Sequence, residues 1–236
     1  MKLATFGCSF TSHLYPTWAD MLGARFDQHL NLAQCGSGNR CIATKVFDFC
    51  LDGAKDPREW VVIVEWSGFN RWDFPTGIQK WFTPGNANYV RWRPDEKIFV
   101  DRYLNLEGEL DSQLALMLAA HRLLKATEFR HSLFTSMERL DVGLDELNEE
   151  ARGYVRAKMA KVVDDLVEPS ITDFTHSHPE NRRYHVQELD MNDGHPTITQ
   201  HAAYLTKILL PRLTATLGFE LRMPTQAAVE RAQAIY

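Results

Sequence analysis

A serine stands directly after the first apolar run of the chain, in the stretch Gly7-Cys8-Ser9-Phe10-Thr11. The run Leu3–Phe6 is apolar and β-prone, so it predicts a short buried strand of a parallel sheet. A helical pattern follows from Thr17, which places Ser9 on a strand-to-helix turn at the carboxyl edge of that sheet. A helix N-terminus close to this turn favours a developing negative charge. Ser9 is therefore a candidate nucleophile, although most serines at such positions only shape the turn.

Further polar residues follow the next two predicted strands and precede the last predicted helix. Gly36 lies in a glycine-rich loop whose backbone N–H groups can point outward, and Asn70 follows the clearest buried strand. Asp193 and His195 lie near the C-terminus, just before a helical pattern. The carboxyl ends of parallel strands meet at one edge of a sheet, so we expect these residues to converge with Ser9.

The elements that would position these residues alternate along the chain. Strands are predicted at 3–6, 26–32, 60–66 and 129–136, and helices at 17–24, 41–51, 110–125, 151–167 and 199–217. Pro211 should kink or interrupt the last helix. The polar, histidine-rich stretch 169–188 is predicted to be a long loop. The alternation indicates a mostly parallel sheet of about five strands, with helices on both faces in three α/β/α layers.

The alternation fails in an insertion at about 72–107, which is rich in aromatic residues, arginine, proline and glycine. The aromatic residues include Trp72, Trp81 and Trp92. Two interpretations stay open: these side chains form a local core beneath the insertion, or they form a wall that stacks on sugar rings or covers an acyl group. We assign residues 1–223 to a single domain and 224–236 to a C-terminal helical tail.

Composition excludes several classes of function. The chain has 236 residues, and its net charge of −5 and pI near 6.0 argue against general nucleic-acid binding. No apolar run approaches the length of a membrane span, and the first residues are too few for a signal peptide. We therefore expect cytoplasmic synthesis without a signal peptide and no membrane partner.

Neither the cysteines nor the histidines have the spacing of a metal site. All four cysteines (Cys8, Cys35, Cys41 and Cys50) lie in the first fifty residues, and we expect reduced, mostly buried thiols. The cluster His176, His178 and His185 lacks carboxylates at suitable spacing. We expect no metal and no other cofactor.

The ordered set of polar blocks resembles the SGNH/GDSL hydrolase superfamily. Its four blocks are matched in order by Gly7-Cys8-Ser9-Phe10-Thr11, Asn31 to Gly36, Gly68-Phe69-Asn70 and Asp193-Gly194-His195-Pro196. The resemblance implies a flavodoxin-like α/β/α fold with the aromatic insertion as a decoration. The variant that opens with Gly-Cys-Ser-Phe-Thr is frequent in bacterial and bacteriophage members of that superfamily.

The resemblance also implies a role for each matched residue. Ser9 would attack an ester carbonyl, His195 would act as base and then acid, and Asp193 would orient the imidazole. The backbone N–H groups of Ser9 and Gly36 and the side chain of Asn70 would form the oxyanion hole. The substrate would be a small-molecule or glycan ester, for example an O-acetylated carbohydrate that contacts Trp72, Trp81 or Trp92.

Two departures from the family pattern and one competing function stay open. The acid often stands three residues before the histidine, where this chain has Asn192; Asp190 or a backbone carbonyl are the alternatives to Asp193. Cys8 and Arg71 replace acidic residues that are usual beside the serine and the asparagine. The competing function is a non-catalytic structural or glycan-binding protein, with a second copy of the chain or a phage virion component as partner.

Overall fold

The computed structural model describes residues 1–78, 80–86, 105–129, 131–138, 144, 147–163, 166–177, 185–186, 191–192 and 195–218. Its strands are β1 (Lys2–Phe6), β2 (Gln28–Asn31), β3 (Trp60–Trp66), β4 (Arg71–Gly77), β5 (Lys80–Asn86), β6 (His131–Ser136), β7 (His185–Val186) and β8 (Met191–Asn192). Its α-helices are α1 (Trp18–Gly23), α2 (Asn39–Leu51), α3 (Leu106–Ala126), α4 (Glu149–Val163), α5 (Ile171–His176), α6 (Ile198–Tyr204) and α7 (Leu210–Leu217). Asp190, Asp193, Trp92, His178 and the tail 224–236 lie outside the described residues.

The central sheet is parallel and has the strand order β2-β1-β3-β6. Lys2 at the start of β1 pairs with Gln28 on one side and with Trp60 on the other. The described sheet has four strands rather than about five, and a parallel bridge between Phe134 and Leu166 extends the pairing beside β6. The predicted α/β class with a mostly parallel sheet is confirmed.

Helices cover both faces of this sheet. Alternate side chains of β1 and β3 point to opposite faces and are mostly apolar on both, so each face needs a layer of helices to bury it. One face packs against α2, α3 and α4 in a cluster that includes Phe6, Val62, Val64, Ile42, Val46, Leu114, Met117 and Met159. The other face packs against α1, α6 and α7 in a cluster that includes Leu3, Val61, Ile63, Trp18, Leu22, Tyr204 and Leu213. The three predicted layers are present.

The first part of the insertion is regular, which corrects the expectation of irregular structure. β4 and β5 form an antiparallel hairpin in which Phe74 pairs with Phe82 and Pro75 with Trp81. Two shifts in the pairing register interrupt this hairpin. Proline and glycine inside both strands hide the strand pattern, because these residues are typical of turns.

Two predicted boundaries near the C-terminus also change. Part of the expected loop at 169–188 is the short helix α5, whose N-cap Ser170 accepts a hydrogen bond from the backbone N–H of Asp173. The last helix is interrupted as predicted, but the interruption is a π-helical turn at Leu205–Leu209, and Pro211 lies in the first turn of α7. Proline fits that position because it lacks a backbone N–H. Among the described residues, no helix has the length and apolar character needed to cross a membrane.

Candidate active site

Ser9 lies on a tight turn that begins where β1 ends. The backbone N–H groups of Thr11 and Ser12 both donate to the carbonyl oxygen of Cys8, at 3.0 and 3.1 Å. A Cβ atom on Gly7 would lie 2.2 Å from Thr11 Oγ1, so the turn closes only with glycine there. Ser9 itself is 2% exposed. The turn therefore holds the serine in a position that is almost fully covered by the rest of the protein.

His195 meets Ser9 across 186 residues of sequence: its Nε2 lies 2.6 Å from Ser9 Oγ. The segment that carries it is anchored at Thr197, the N-cap of α6, which forms a capping box with Gln200. On the other side, Tyr15 Oη donates a hydrogen bond of 2.8 Å to the carbonyl oxygen of Pro196. A hydroxyl within hydrogen-bond reach of an imidazole is the arrangement of an activated nucleophile and its base.

Aromatic rings surround the imidazole of His195. The ring centroids of Phe10 and His13 lie 5.1 and 4.5 Å from that of His195. Behind them His201 is fully buried, and burial, followed by the charges of His13 and His195, lowers its pKa to about 3. His201 is therefore neutral, and it adds no positive charge that would oppose the formation of an imidazolium at His195.

Gly36 lies in the loop between β2 and α2, where its φ of +77° requires glycine. A Cβ atom there would approach the carbonyl oxygen of Thr83 to 2.4 Å, because the β4–β5 hairpin lies directly against the loop. Thr83 Oγ1 donates to the carbonyl oxygen of Cys35 at 2.9 Å, and the N–H of Gln34 donates to the carbonyl oxygen of Gly7 at 3.1 Å. The Gly36 loop is thus fixed between the hairpin and the Ser9 turn.

Asp73 of β4 caps helix α2 from outside that helix. Its carboxylate accepts hydrogen bonds from the backbone N–H groups of Gly38 and Cys41, both at 2.8 Å. The N-cap position is Gly38, which has no side chain of its own to offer. A buried carboxylate at a helix N-terminus also interacts favourably with the helix dipole. The hairpin therefore sets the position of the helix that follows the Gly36 loop.

Asn70 lies in the turn after β3, and its Oδ1 is buried without a hydrogen-bond partner among the described residues. The turn is tied to α2 by Asn39, which accepts from the N–H of Ser67 at 2.8 Å and donates to the Ser67 carbonyl oxygen at 2.9 Å. Gln113 of α3 donates to the carbonyl oxygen of Phe69 at 3.1 Å. These contacts fix the backbone around Asn70 on the same edge of the sheet as Ser9 and Gly36.

Glu65, a charged residue within the buried strand β3, lies beneath the Ser9 turn. Its carboxyl oxygens accept hydrogen bonds from Trp18 Nε1 at 3.0 Å and from Cys8 Sγ at 3.6 Å. Burial raises the pKa of Glu65 to about 7, against the opposing effect of these hydrogen bonds and of Arg71. Burial likewise raises the pKa of Cys8 to about 11, so the cysteine beside Ser9 stays a neutral thiol.

The raised pKa of Glu65 predicts a stability that falls as pH rises. The folded protein holds this proton more tightly than the unfolded chain, so the free energy of unfolding decreases between pH 4.5 and about 7. The loss from this one group amounts to about 3 kcal/mol. Glu65→Gln should remove that component, and urea unfolding at pH 5 and pH 8 measures it. The exposed Glu150→Gln is the matched control; an unchanged pH dependence in Glu65→Gln would contradict the prediction.

The predicted substrate-contacting tryptophans occupy different environments. Trp72 is 6% exposed and packs edge-on against Phe74, with a centroid separation of 6.2 Å. Trp81 is half-buried on β5 and lines a cavity. Trp92 and Asp193 lie outside the described residues. Of the four cysteines, Cys8 and Cys41 are buried, Cys50 is half-buried and Cys35 is exposed, and none forms a disulfide.

Comparison with known proteins gives similarity at the level of structure only. No protein-family model matches the chain, and no curated protein matches it in sequence. A member of the lipolytic G-D-S-L family from Veillonella parvula is 13% identical with a TM-score of 0.46, over 88% of this chain and 95% of the other. A catalytic mutant of an acetylxylan esterase from Geobacillus stearothermophilus is 12% identical with a TM-score of 0.49, over 95% and 97% of the two chains.

Proposed function

We propose that the protein is a serine ester hydrolase of the SGNH/GDSL type. The observation that carries this proposal is the 2.6 Å contact between Ser9 Oγ and His195 Nε2 at the carboxyl edge of the sheet. Both structures in the comparison are described as lipolytic or esterase proteins, which agrees with the proposal. A purely structural protein has no need of a serine and an imidazole held at this distance.

In the proposed reaction, Ser9 Oγ attacks the ester carbonyl while His195 Nε2 takes its proton. The oxygen that becomes negative is stabilised by the N–H groups of Ser9 and Gly36 and by the side-chain amide of Asn70. His195 then protonates the departing alcohol, and an acyl group stays on Ser9. A water molecule, deprotonated by His195, releases the acid and restores the serine. Asp193 is the group that we assign to orient the imidazole.

The burial of Ser9 favours a short acyl group. Ser9 is 2% exposed and Phe10 is 7% exposed, so a reacting ester must approach a nearly covered hydroxyl. An acetyl ester fits this restriction, and the alcohol part would extend outward toward the β4–β5 hairpin. We therefore propose O-acetyl groups on a carbohydrate as the substrate. Labelling of Ser9 by a fluorophosphonate probe tests the reaction; an unlabelled, correctly folded protein would favour the competing structural or glycan-binding role.

Asn70 should contribute to the rate and little to substrate binding. An oxyanion donor acts when charge develops on the carbonyl oxygen, so Asn70→Ala should lower kcat by about 10²–10³ with a small change in KM. Kinetics with a small aryl acetate measure both constants. Asn105→Ala, which removes the N-cap of α3 on the surface, is the control for general destabilisation. A rise in KM at constant kcat would assign Asn70 to substrate binding instead.

A further inference from the structure

A cavity of about 480 Å³ lies between β2, α2 and the β4–β5 hairpin; we call it the β2–α2 cavity. Its volume falls within the range of small-molecule sites, about 300–1,000 Å³. One wall is the end of the outermost strand of the described sheet, from Leu30 to Ala33, and the opposite wall is one face of α2. Trp81 of β5 and Phe49 of α2 contribute the aromatic part of the lining. Nothing in the reaction proposed above uses this space.

The α2 wall combines apolar and charged side chains at helical spacing. Lys45, Asp48 and Phe49 recur three or four residues apart and share one face of α2, and Asp52, the C-cap of that helix, also lines the cavity. Phe49 is 4% exposed and belongs to the apolar core, whereas Asp48 and Asp52 are exposed. Together with half-buried Trp81, this wall offers an aromatic ring beside several hydrogen-bonding groups.

The charges in the cavity are balanced. Lys45 Nζ donates to the carbonyl oxygen of Leu32 and to Gln34 Oε1, both at 3.1 Å, and Lys55 forms an ion pair with Asp52. Asp48 has no ion pair or hydrogen bond to any residue in the described part of the chain. Two lysines and two aspartates leave the described lining with no net charge that would favour an anion or a cation. The lining therefore suits a neutral ligand rich in hydroxyl groups.

We infer that the β2–α2 cavity is a sugar-binding subsite, in which one face of a pyranose ring stacks on Trp81 and its hydroxyl groups bond to Asp48 and Lys45. A sugar ring presents C–H groups on its face and hydroxyl groups on its rim. The C–H groups can pack on the indole ring of Trp81, and the hydroxyl groups can form hydrogen bonds with the charged side chains beside it. The carboxylate of Asp48 can accept hydrogen bonds from the sugar hydroxyls, because it accepts none from the described residues.

The subsite is connected to the Ser9 edge through Gln34. Its Oε1 accepts from Lys45 of the cavity wall, and its Nε2 donates to Thr83 Oγ1 at 3.2 Å, beside the Gly36 loop. A glycan chain held at Trp81 would therefore run along the hairpin toward the reacting ester. This role as a substrate subsite rests on the proposed esterase function, whereas sugar binding itself does not.

The test is calorimetric binding of three uncharged tetrasaccharides to the Ser9→Ala protein: xylotetraose, cellotetraose and the tetramer of N-acetylglucosamine. We expect at least one to bind, and Trp81→Ala added to the same background to weaken that binding at least about tenfold, the effect of losing about 1.4 kcal/mol. Trp81→Phe should restore part of the affinity because it keeps an aromatic ring. Phe82→Ala, on the opposite face of the same strand, should leave the affinity unchanged.

Two results would overturn the inference: failure of all three sugars to bind, or equal affinity in the Trp81→Ala and Phe82→Ala proteins. Hydrolysis of a small aryl acetate by the protein with Ser9 intact separates this inference from the proposed function. Sugar binding without any hydrolysis would defeat the esterase proposal and leave the subsite standing. Hydrolysis without sugar binding would do the reverse.

Discussion

Ser9→Ala should abolish hydrolysis of a short aryl ester and leave the fold intact. The substitution removes the oxygen that lies 2.6 Å from His195 Nε2, and loss of such a nucleophile lowers kcat by about 10⁶. The fold should survive because, among the described residues, the Ser9 hydroxyl forms one hydrogen bond, to His195. Initial rates with an aryl acetate measure the activity, and thermal unfolding measures the fold.

Ser12→Ala is the matched control, since Ser12 lies in the same turn and contributes its backbone N–H, which alanine keeps. It should retain most of the activity. Comparable rates in the Ser9→Ala and unaltered proteins would contradict the assignment of Ser9 as the nucleophile. A Ser9→Ala protein that loses both activity and its cooperative unfolding would instead assign Ser9 a structural role.

Asp193→Asn should lower kcat by about 10⁴, the usual result of replacing the acid that orients a catalytic imidazole. His195 presents Nε2 to Ser9, so the group that sets its tautomer must act on Nδ1. Asparagine can favour the wrong tautomer because its amide donates where a carboxylate only accepts. Steady-state kinetics on an aryl acetate are the measurement, with Asn192→Ala as the neighbouring control.

The pair of variants also decides between the alternatives at this position. Asn192→Ala should be mild, because an amide cannot replace the charge of a carboxylate. A severe loss at Asn192 with none at Asp193 would overturn the assignment. Small effects at both would transfer the orienting role to Asp190 or to a backbone carbonyl.

The sequence predicted the parts of the fold that follow from apolar patterning. The runs at Leu3–Phe6 and at 60–66 are buried strands with the expected parallel pairing, because uninterrupted apolar residues are typical of strands covered on both faces. The Ser9 turn followed from where the first of those strands ends, and His195 was expected at the same edge from its position just before the last predicted helix. The hairpin at 71–86 was missed because its proline and glycine residues have poor strand propensity, and register shifts accommodate them.

The residues that support the site were missed for a different reason. Asp73, Asn39 and His13 act through contacts between segments far apart in the chain, and no local spacing marks such contacts. Glu65 did carry a signal: a carboxyl group inside an apolar strand must find partners or bind a proton. That signal points to a special environment, but the identity of its partners, Trp18 and Cys8, requires the structure.

The separation of Ser9 and His195 by 186 residues would make the proposed esterase activity a report on the completion of folding. The strand that carries Ser9 is central, and it pairs with a strand that begins almost sixty residues later, so it lacks one neighbour until that segment has been synthesised. Sheets built from such distant pairings fold slowly. A chain emerging from the ribosome would contain Ser9 long before His195 is synthesised, and it would stay inactive until the segment around His195 docks. During refolding, the proposed esterase activity should therefore be among the last signals to return, after those of the sheet.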